Sequence, residues 1–240
     1  MPSDPAIGAP HGWLLEEMAS AGRENLDAAH VARYDAKEDA GAGEEVALCQ
    51  ALGLRSGATV IDIGAGTGQF TIAAALVCAR VIAVDVSGVM LERLRAKLAD
   101  AGLTNVELAH AGFLSYEHRG EPADLIYSRY ALHHLPDFWK ALALRRMRGM
   151  LREGGVLRLS DIVYSFDLLD AEERLEAWCA SGGPDAERGW SRAELEEHVR
   201  DEHSTFTWLL EPMIARSGFE VEQADYSEDG IFARYVLRAV

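Results

Sequence analysis

Lysine is nearly absent from this chain, standing only at Lys37, Lys97 and Lys140, so arginine supplies almost all of the basic residues. Even so, 23 bases face 39 acids, and the formal charge is −16. A chain this acidic lacks the basic footprint that releases counterions from a phosphate backbone, which excludes a general nucleic-acid binder. Polyanionic partners are disfavoured for the same reason, whereas a small neutral or cationic ligand is not. No apolar run approaches the length needed to cross a bilayer. Residues 1–11 hold neither the basic stretch nor the apolar stretch of a secretory signal, and a cytoplasmic protein with no membrane partner is expected. Cys49, Cys78 and Cys179 are odd in number, far apart and set in apolar surroundings. They read as reduced core thiols, not as a disulfide framework or a metal site. Internal repeats and low-complexity linkers are also lacking.

What is present is a core. Of 240 residues, 49% are hydrophobic and 26% charged, enough for one large domain carrying a small appendage. The stretch 1–54 reads as a helical cap, with Trp13-Leu14-Leu15 and Met18 on one short amphipathic turn. From residue 55 to 240 the pattern is α/β. Short β-branched runs at Ala58–Ile63, Arg80–Val86, Val106–His110, Asp124–Tyr127 and Val156–Ile162 alternate with helical segments at Thr67–Cys78, Ser87–Asp100 and Pro136–Arg152. That alternation predicts parallel pairing in a doubly wound sheet. Gly154-Gly155 is expected to stop the third of these helices as a left-handed cap. An acidic insertion at about 165–190 interrupts the pattern. Ser191 with Glu194 then has the spacing of a capping box, and a helix is expected over Ser204–Ser217. Glu220–Tyr226 and Ile231–Ala239, joined by Glu228-Asp229-Gly230, predict a terminal antiparallel hairpin.

The strongest chemical signal is Val60-Ile61-Asp62-Ile63-Gly64-Ala65-Gly66-Thr67-Gly68, a strand running through Gly-x-Gly-x-Gly into a helix. Such a loop lets backbone approach a ligand closely and aims free N–H groups at it. The dinucleotide fingerprint needs a further glycine where Gln69 stands, so that fingerprint fails. Asp85 ends the next strand, where a carboxylate accepts both hydroxyls of a ribose. Asp62, two residues before Gly64, sits below the loop, placed to orient an ammonium group directly or through water.

Together with VIAVDVS around Asp85, YSRYALHHLPD over Tyr127–Asp137 and LREGGVL before the fifth strand, the glycine run resembles the class I S-adenosylmethionine-dependent methyltransferases. Within them it is most similar to the small-molecule group that includes the ubiquinone/menaquinone-type enzymes. The resemblance covers roughly Glu45 to Ile162 and continues more loosely to the hairpin. It implies a Rossmann-like, seven-stranded sheet with S-adenosylmethionine across the strand ends and S-adenosylhomocysteine as product. It implies that Gly64, Ala65, Gly66 and Gly68 line the methionine part, that Asp85 holds the ribose and that Val86 packs on the adenine. Gly112 and Phe113 would flank the adenine from the other side, and Ser128 and Arg129 would face the sulfonium. The family usually has an acid touching the adenine amino group at the position of Gly112; here the contact must come from backbone or another side chain.

His133 and His134 are the candidates for a general base, His134 first, with Asp161 placed to orient one of them or to bind substrate. Tyr34, His203 and Trp208 are expected at the acceptor, under a lid formed by the cap and the insertion. His198 and His203, drawn together with the paired histidines, lack tight metal-ligand spacing and read as solvated helix residues; no metal is expected. Trp13, Trp178 and Trp190 are available to a homodimer contact or to the lid. The reaction expected is methyl transfer to a small organic acceptor by in-line displacement. Two other readings stand beside it: a nicotinamide-dependent oxidoreductase, which fails at Gln69 and lacks a Tyr-x-x-x-Lys pair, and a non-catalytic S-adenosylmethionine-binding module.

Overall fold

The computed structural model describes residues 12–20, 31, 40–183 and 189–240. Five strands, β1 (Thr59–Ile63), β2 (Arg80–Asp85), β3 (Val106–His110), β4 (Ala123–Arg129) and β5 (Leu151–Tyr164), pair in parallel in the order β3-β2-β1-β4-β5. A two-residue strand β6 (Thr205–Phe206) pairs with the end of β5. The hairpin of β7 (Phe219–Tyr226) and β8 (Phe232–Ala239) closes the sheet, with β8 antiparallel to β5. The seven expected strands are therefore all found, and β6 adds an eighth.

The central strands are buried on both faces, which is why they read as continuous apolar runs and not as an alternation. Ile61 and Ile63 point to one side, against Ile82, Ile126, Leu144, Met147 and Leu157. Val60 points to the other, against Cys49, Phe70, Ala74, Val81 and Leu125. Helices α1 (Ala42–Ala51), α2 (Gln69–Ala75), α3 (Gly88–Asp100) and α4 (Asp137–Met150) cover these faces. In α3 the stripe of Met90, Leu94 and Leu98 is buried as its spacing predicts, and Ser87 caps the helix by accepting the Met90 N–H. A partly buried ion pair, Arg158 to Glu45 through two bonds of 2.8 Å, ties α1 to β5.

The C-terminal part follows the sequence less closely. Helix α4 ends at Met150, and Leu151 already pairs with Ala123 in the sheet. Gly154 and Gly155 lie within the β5 run where its register against β4 shifts, so they shape a bulge instead of capping a helix. The 165–190 insertion holds α5 (Ala171–Ala180), which packs on α6 (Arg192–Asp201). The Ser191–Glu194 capping box is formed. Helix α7 (Thr207–Arg216) begins later than expected because Thr205 and Phe206 are drawn into pairing with Val163 and Tyr164. Lys140 is only 2% exposed. Its ammonium donates to Asp137 and to the His203 carbonyl, pinning the chain before β6 to the start of α4. Cys49, Cys78 and Cys179 are buried and not bonded to one another. Among the described residues, no helix is long and apolar enough to cross a membrane.

Candidate active site

The strand order reverses at β1, whose neighbours β2 and β4 lead to opposite sides of the sheet. Open α/β sheets bind ligands at the carboxyl ends of strands on either side of such a point. A cavity open to solvent lies there, lined by residues at or after the ends of β1, β2, β3 and β4 and by Glu17 from the N-terminal segment.

The loop after β1 is shaped by two glycines in different ways. Gly66 has φ +53° and open space where a Cβ would stand, so the backbone itself forms the cavity wall. Gly68 has φ +81° and begins α2; a Cβ there would run into Leu94 of α3. Gly68 thus lets α3 close on the loop and is not among the residues that line the cavity. Asp85 fastens the loop from β2. Its Oδ2 accepts the Gly66 N–H and its Oδ1 accepts the Ser87 N–H, both at 2.7 Å. It lines the cavity while only 8% exposed, and burial pushes its pKa up. Asp62 lies beneath, accepting the Thr71 hydroxyl at 2.5 Å, and burial raises its pKa to about 7.

Across the cavity, the chain after β3 carries Ala111, Gly112 and Phe113. The carboxylate of Glu17 lies over this turn, with Oε1 accepting the Leu114 N–H at 3.0 Å and Oε2 accepting the Ser115 hydroxyl at 2.8 Å. A Cβ on Gly112 would fall 2.6 Å from the Glu17 carboxyl carbon, so Glu17 occupies the space of a side chain at position 112. It is delivered by a short 3-10 turn, Glu17–Ser20, behind Leu14 and Leu15, which pack on the core, and Trp13, which stacks on Trp139.

The fourth wall follows β4. Arg129 lines the cavity with its guanidinium 4.2 Å from the Tyr130 ring centroid. Tyr130 has φ +50°, a conformation rare outside glycine, and its N–H donates to Ser160. Strain of this kind persists where the surroundings over-determine it and gathers at functional sites. Next come Ala131, His134 and Leu135, also in the lining. His134 sits in the cavity wall with its pKa lowered to about 4 by burial and by the neighbouring charge of His133. His133 turns the other way. Its Nδ1 donates to Asp161 Oδ1 at 2.5 Å, and its Nε2 lies 2.9 Å from Glu202 Oε2. Burial opposes the charge of His133, but the carboxylates of Asp161 and Glu202 outweigh it and raise its pKa to about 10. A ring held cationic between two acids cannot serve as a base, and of the two expected candidates only His134 faces the cavity.

Residues 60–155 match a family described as a methyltransferase domain. The chain is 30% identical over 167 residues to an uncharacterised methyltransferase of Anoxybacillus flavithermus, spanning 70% of this chain and 72% of that one. The chain belongs to the class I S-adenosylmethionine-dependent methyltransferases. Solved structures share the fold. An S-adenosylmethionine-dependent methyltransferase from Aquifex aeolicus aligns over 89% of this chain and 99% of its own, with TM-score 0.61 and 18% identity. The magnesium protoporphyrin IX methyltransferase of Synechocystis PCC 6803, solved with S-adenosylmethionine bound, aligns over 95% and 99%, with TM-score 0.65 and 13% identity.

In this methyltransferase the cavity gathers Gly64, Gly66, Asp85, Val86, Gly112, Phe113, Arg129 and His134 of the residues singled out in the sequence. Asp62 and Ser128 lie buried behind it, and the Ser128 hydroxyl has no hydrogen-bond partner. Asp161 is 2% exposed and committed to His133 and the Ile162 N–H, so it orients His133 and is not open to a substrate. His203 is exposed and Trp208 is 55% exposed, stacked on Phe206, and neither lines the cavity. Tyr34 lies outside the described residues. Sequence reasoning missed Glu17, Met90, Tyr130 and Leu135. Met90 reads by spacing as part of the buried stripe of α3. Gly112, the departure from the family's acid, was the signal that backbone or another side chain must supply that contact.

Proposed function

We propose that this enzyme binds S-adenosylmethionine in the cavity at the ends of β1–β4 and methylates a small organic acceptor presented from the side of Tyr130 and His134. The observation that carries the reading is Asp85. Each of its carboxylate oxygens accepts one backbone N–H, and an ionised carboxylate offers about four lone-pair sites. Capacity for a pair of ribose hydroxyls therefore remains on a group that lines the cavity. The other donors fit the same ligand: glycine backbone beside the methionine portion, Asp62 as a counter-charge for its ammonium, and Val86 with Met90 as an apolar seat for a base. When bound, the sulfonium supplies a methyl group already activated for displacement. The protein's part is then mostly alignment, which in well-oriented systems is worth effective molarities of about 10⁵ M or more.

Titration calorimetry with S-adenosylmethionine, S-adenosylhomocysteine and NAD side by side tests the cofactor. The first two should bind and NAD should not, and binding of NAD alone would overturn the reading of the glycine loop. The N-terminal cap and the 165–190 insertion are read as the lid over the acceptor. His134 is read as the proton acceptor where that acceptor is a hydroxyl, since its ring is in the cavity wall. Replacing it with alanine should lower turnover on such an acceptor and leave cofactor affinity nearly intact. A fully active His134→Ala enzyme would remove it as base.

A further inference from the structure

Behind the acceptor wall, three side chains from two separate elements converge on one point. His133 comes from the turn after β4. His198 and Glu202 come from the end of α6, one helical turn apart and so on one face. Glu202 Oε2 lies 2.9 Å from His133 Nε2 and 2.5 Å from His198 Nδ1. Despite these short approaches, this buried oxygen is left without a hydrogen bond of good geometry. The three atoms all lie within 4.8 Å of one another. We propose that His133 Nε2, His198 Nδ1 and the Glu202 carboxylate bind a divalent first-row cation of the zinc type.

The chemistry of the donor set fits. Two imidazoles and a carboxylate with one position left for water is a set that zinc takes, at bond lengths of about 2.0–2.2 Å. A tetrahedral ion with such bonds holds its ligands roughly 3.4 Å apart, and the three atoms here all fall within 4.8 Å of one another. The surroundings fit too. Ligating histidines commonly donate their outer nitrogen to a carboxylate or hydroxyl, which fixes which nitrogen faces the metal. Here His133 Nδ1 is held by Asp161 at 2.5 Å, and His198 Nε2 lies 2.8 Å from the Ser204 hydroxyl. Asp161 is itself held by two backbone N–H groups. Both inward nitrogens are thereby selected by their neighbours, and the ion would displace the Nε2 proton that the cationic His133 ring carries in its absence. Close by, His134 Nδ1 is buried without a partner, 3.9 Å from the same Glu202 oxygen, and offers an acceptor to a metal-bound water. The ion would tie α6, and through it the 165–190 insertion packed on α6, to the turn that carries the cavity wall. Sequence spacing conceals this cluster because only the fold brings the end of α6 back to the turn after β4.

The inference is independent of the methyl-transfer reading, and its test needs no turnover. The full-length protein, stripped with chelator and dialysed, is titrated with Zn²⁺ against a chromophoric chelator, and separately with Co²⁺, whose visible bands report coordination. One equivalent of Zn²⁺ should bind, and Co²⁺ should give the intense bands of a four-coordinate site. His198→Asn and the near-isosteric Glu202→Gln should each weaken binding at least a hundredfold. Asp161→Asn should weaken it about 10- to 100-fold by freeing the His133 ring. His118→Ala, outside the cluster, should keep one equivalent. Circular dichroism checks that each variant is folded. The proposal is overturned if the folded wild-type protein takes up no equivalent of Zn²⁺, the three groups then being a proton-bridged ion network. It is equally overturned if His198→Asn or Glu202→Gln loses less than tenfold, the ion then residing elsewhere.

Discussion

Replacing Asp85 with alanine is expected to reduce S-adenosylmethionine affinity by at least about a hundredfold. Two losses combine. A hydrogen bond to a charged group contributes about 1.5–3 kcal/mol, and Asp85 is read as offering two of these to the ribose, so binding forfeits on the order of 3–6 kcal/mol. The substitution also releases the Gly66 and Ser87 N–H groups, each held at 2.7 Å. The loop at Gly66, where backbone forms the cavity wall, then loses the anchor that sets its shape. Asp85→Asn separates the two effects. One amide oxygen can still take one backbone N–H, so the loop keeps part of its restraint while the charge and an acceptor are gone. An intermediate loss, roughly tenfold, is expected. Calorimetry on both variants, with thermal unfolding to verify the fold, checks this, and unchanged affinity in Asp85→Ala would sink the ribose assignment.

The parts of this site that were legible in the sequence are those set by short-range pattern. The run Val60–Ile63, apolar but for Asp62, is covered on both faces and does not alternate, and the glycines after it have no role inside a strand or a helix. Asp85 ends a run of the same kind and lines the cavity by register alone. Less legible were features set by what arrives from elsewhere. Gly154-Gly155 looks like a helix stop, but the strand begins earlier and the glycines serve a bulge against β4. Lys140 reads as one more base of an arginine-rich helix, yet it stands on the face of Ala143, Leu144 and Met147, where the His203 carbonyl and Asp137 take its ammonium. His133 and His134 are indistinguishable as neighbours in a motif. Asp161 and Glu202 make one a buried cation, and burial beside that cation keeps the other neutral. No local pattern could assign them, because the deciding acids come from β5 and from the end of α6.

Glu17 is the residue that most depends on the fold, and its expected effect is also large. The sheet of this methyltransferase has glycine where the family usually has an acid beside the adenine, and Glu17 fills that space from the N-terminal segment. Read as the acceptor for the adenine amino group, its carboxylate contributes one charge-assisted bond, about 1.5–3 kcal/mol. Glu17→Ala should therefore weaken S-adenosylmethionine binding between about tenfold and a hundredfold. Part of that loss is indirect, because the Leu114 N–H and the Ser115 hydroxyl lose their acceptor and the turn after β3 loosens. Gly112→Asp alone should also be harmful: its Cβ would stand 2.6 Å from the Glu17 carboxyl carbon, crowding one carboxylate into the place of another. The two substitutions together should do less damage than either one. With Glu17 trimmed to alanine, an aspartate at 112 has room and presents a carboxylate to the same ligand edge from the sheet. A double-mutant cycle in cofactor affinity measures this directly, neighbouring residues with a shared space being where additivity fails. Strictly additive losses would mean that Glu17 holds the N-terminal segment in place and has no part in recognising the cofactor. Recovery in the double variant would mean that the acid has moved, in this chain, from the sheet to a segment that folds over it.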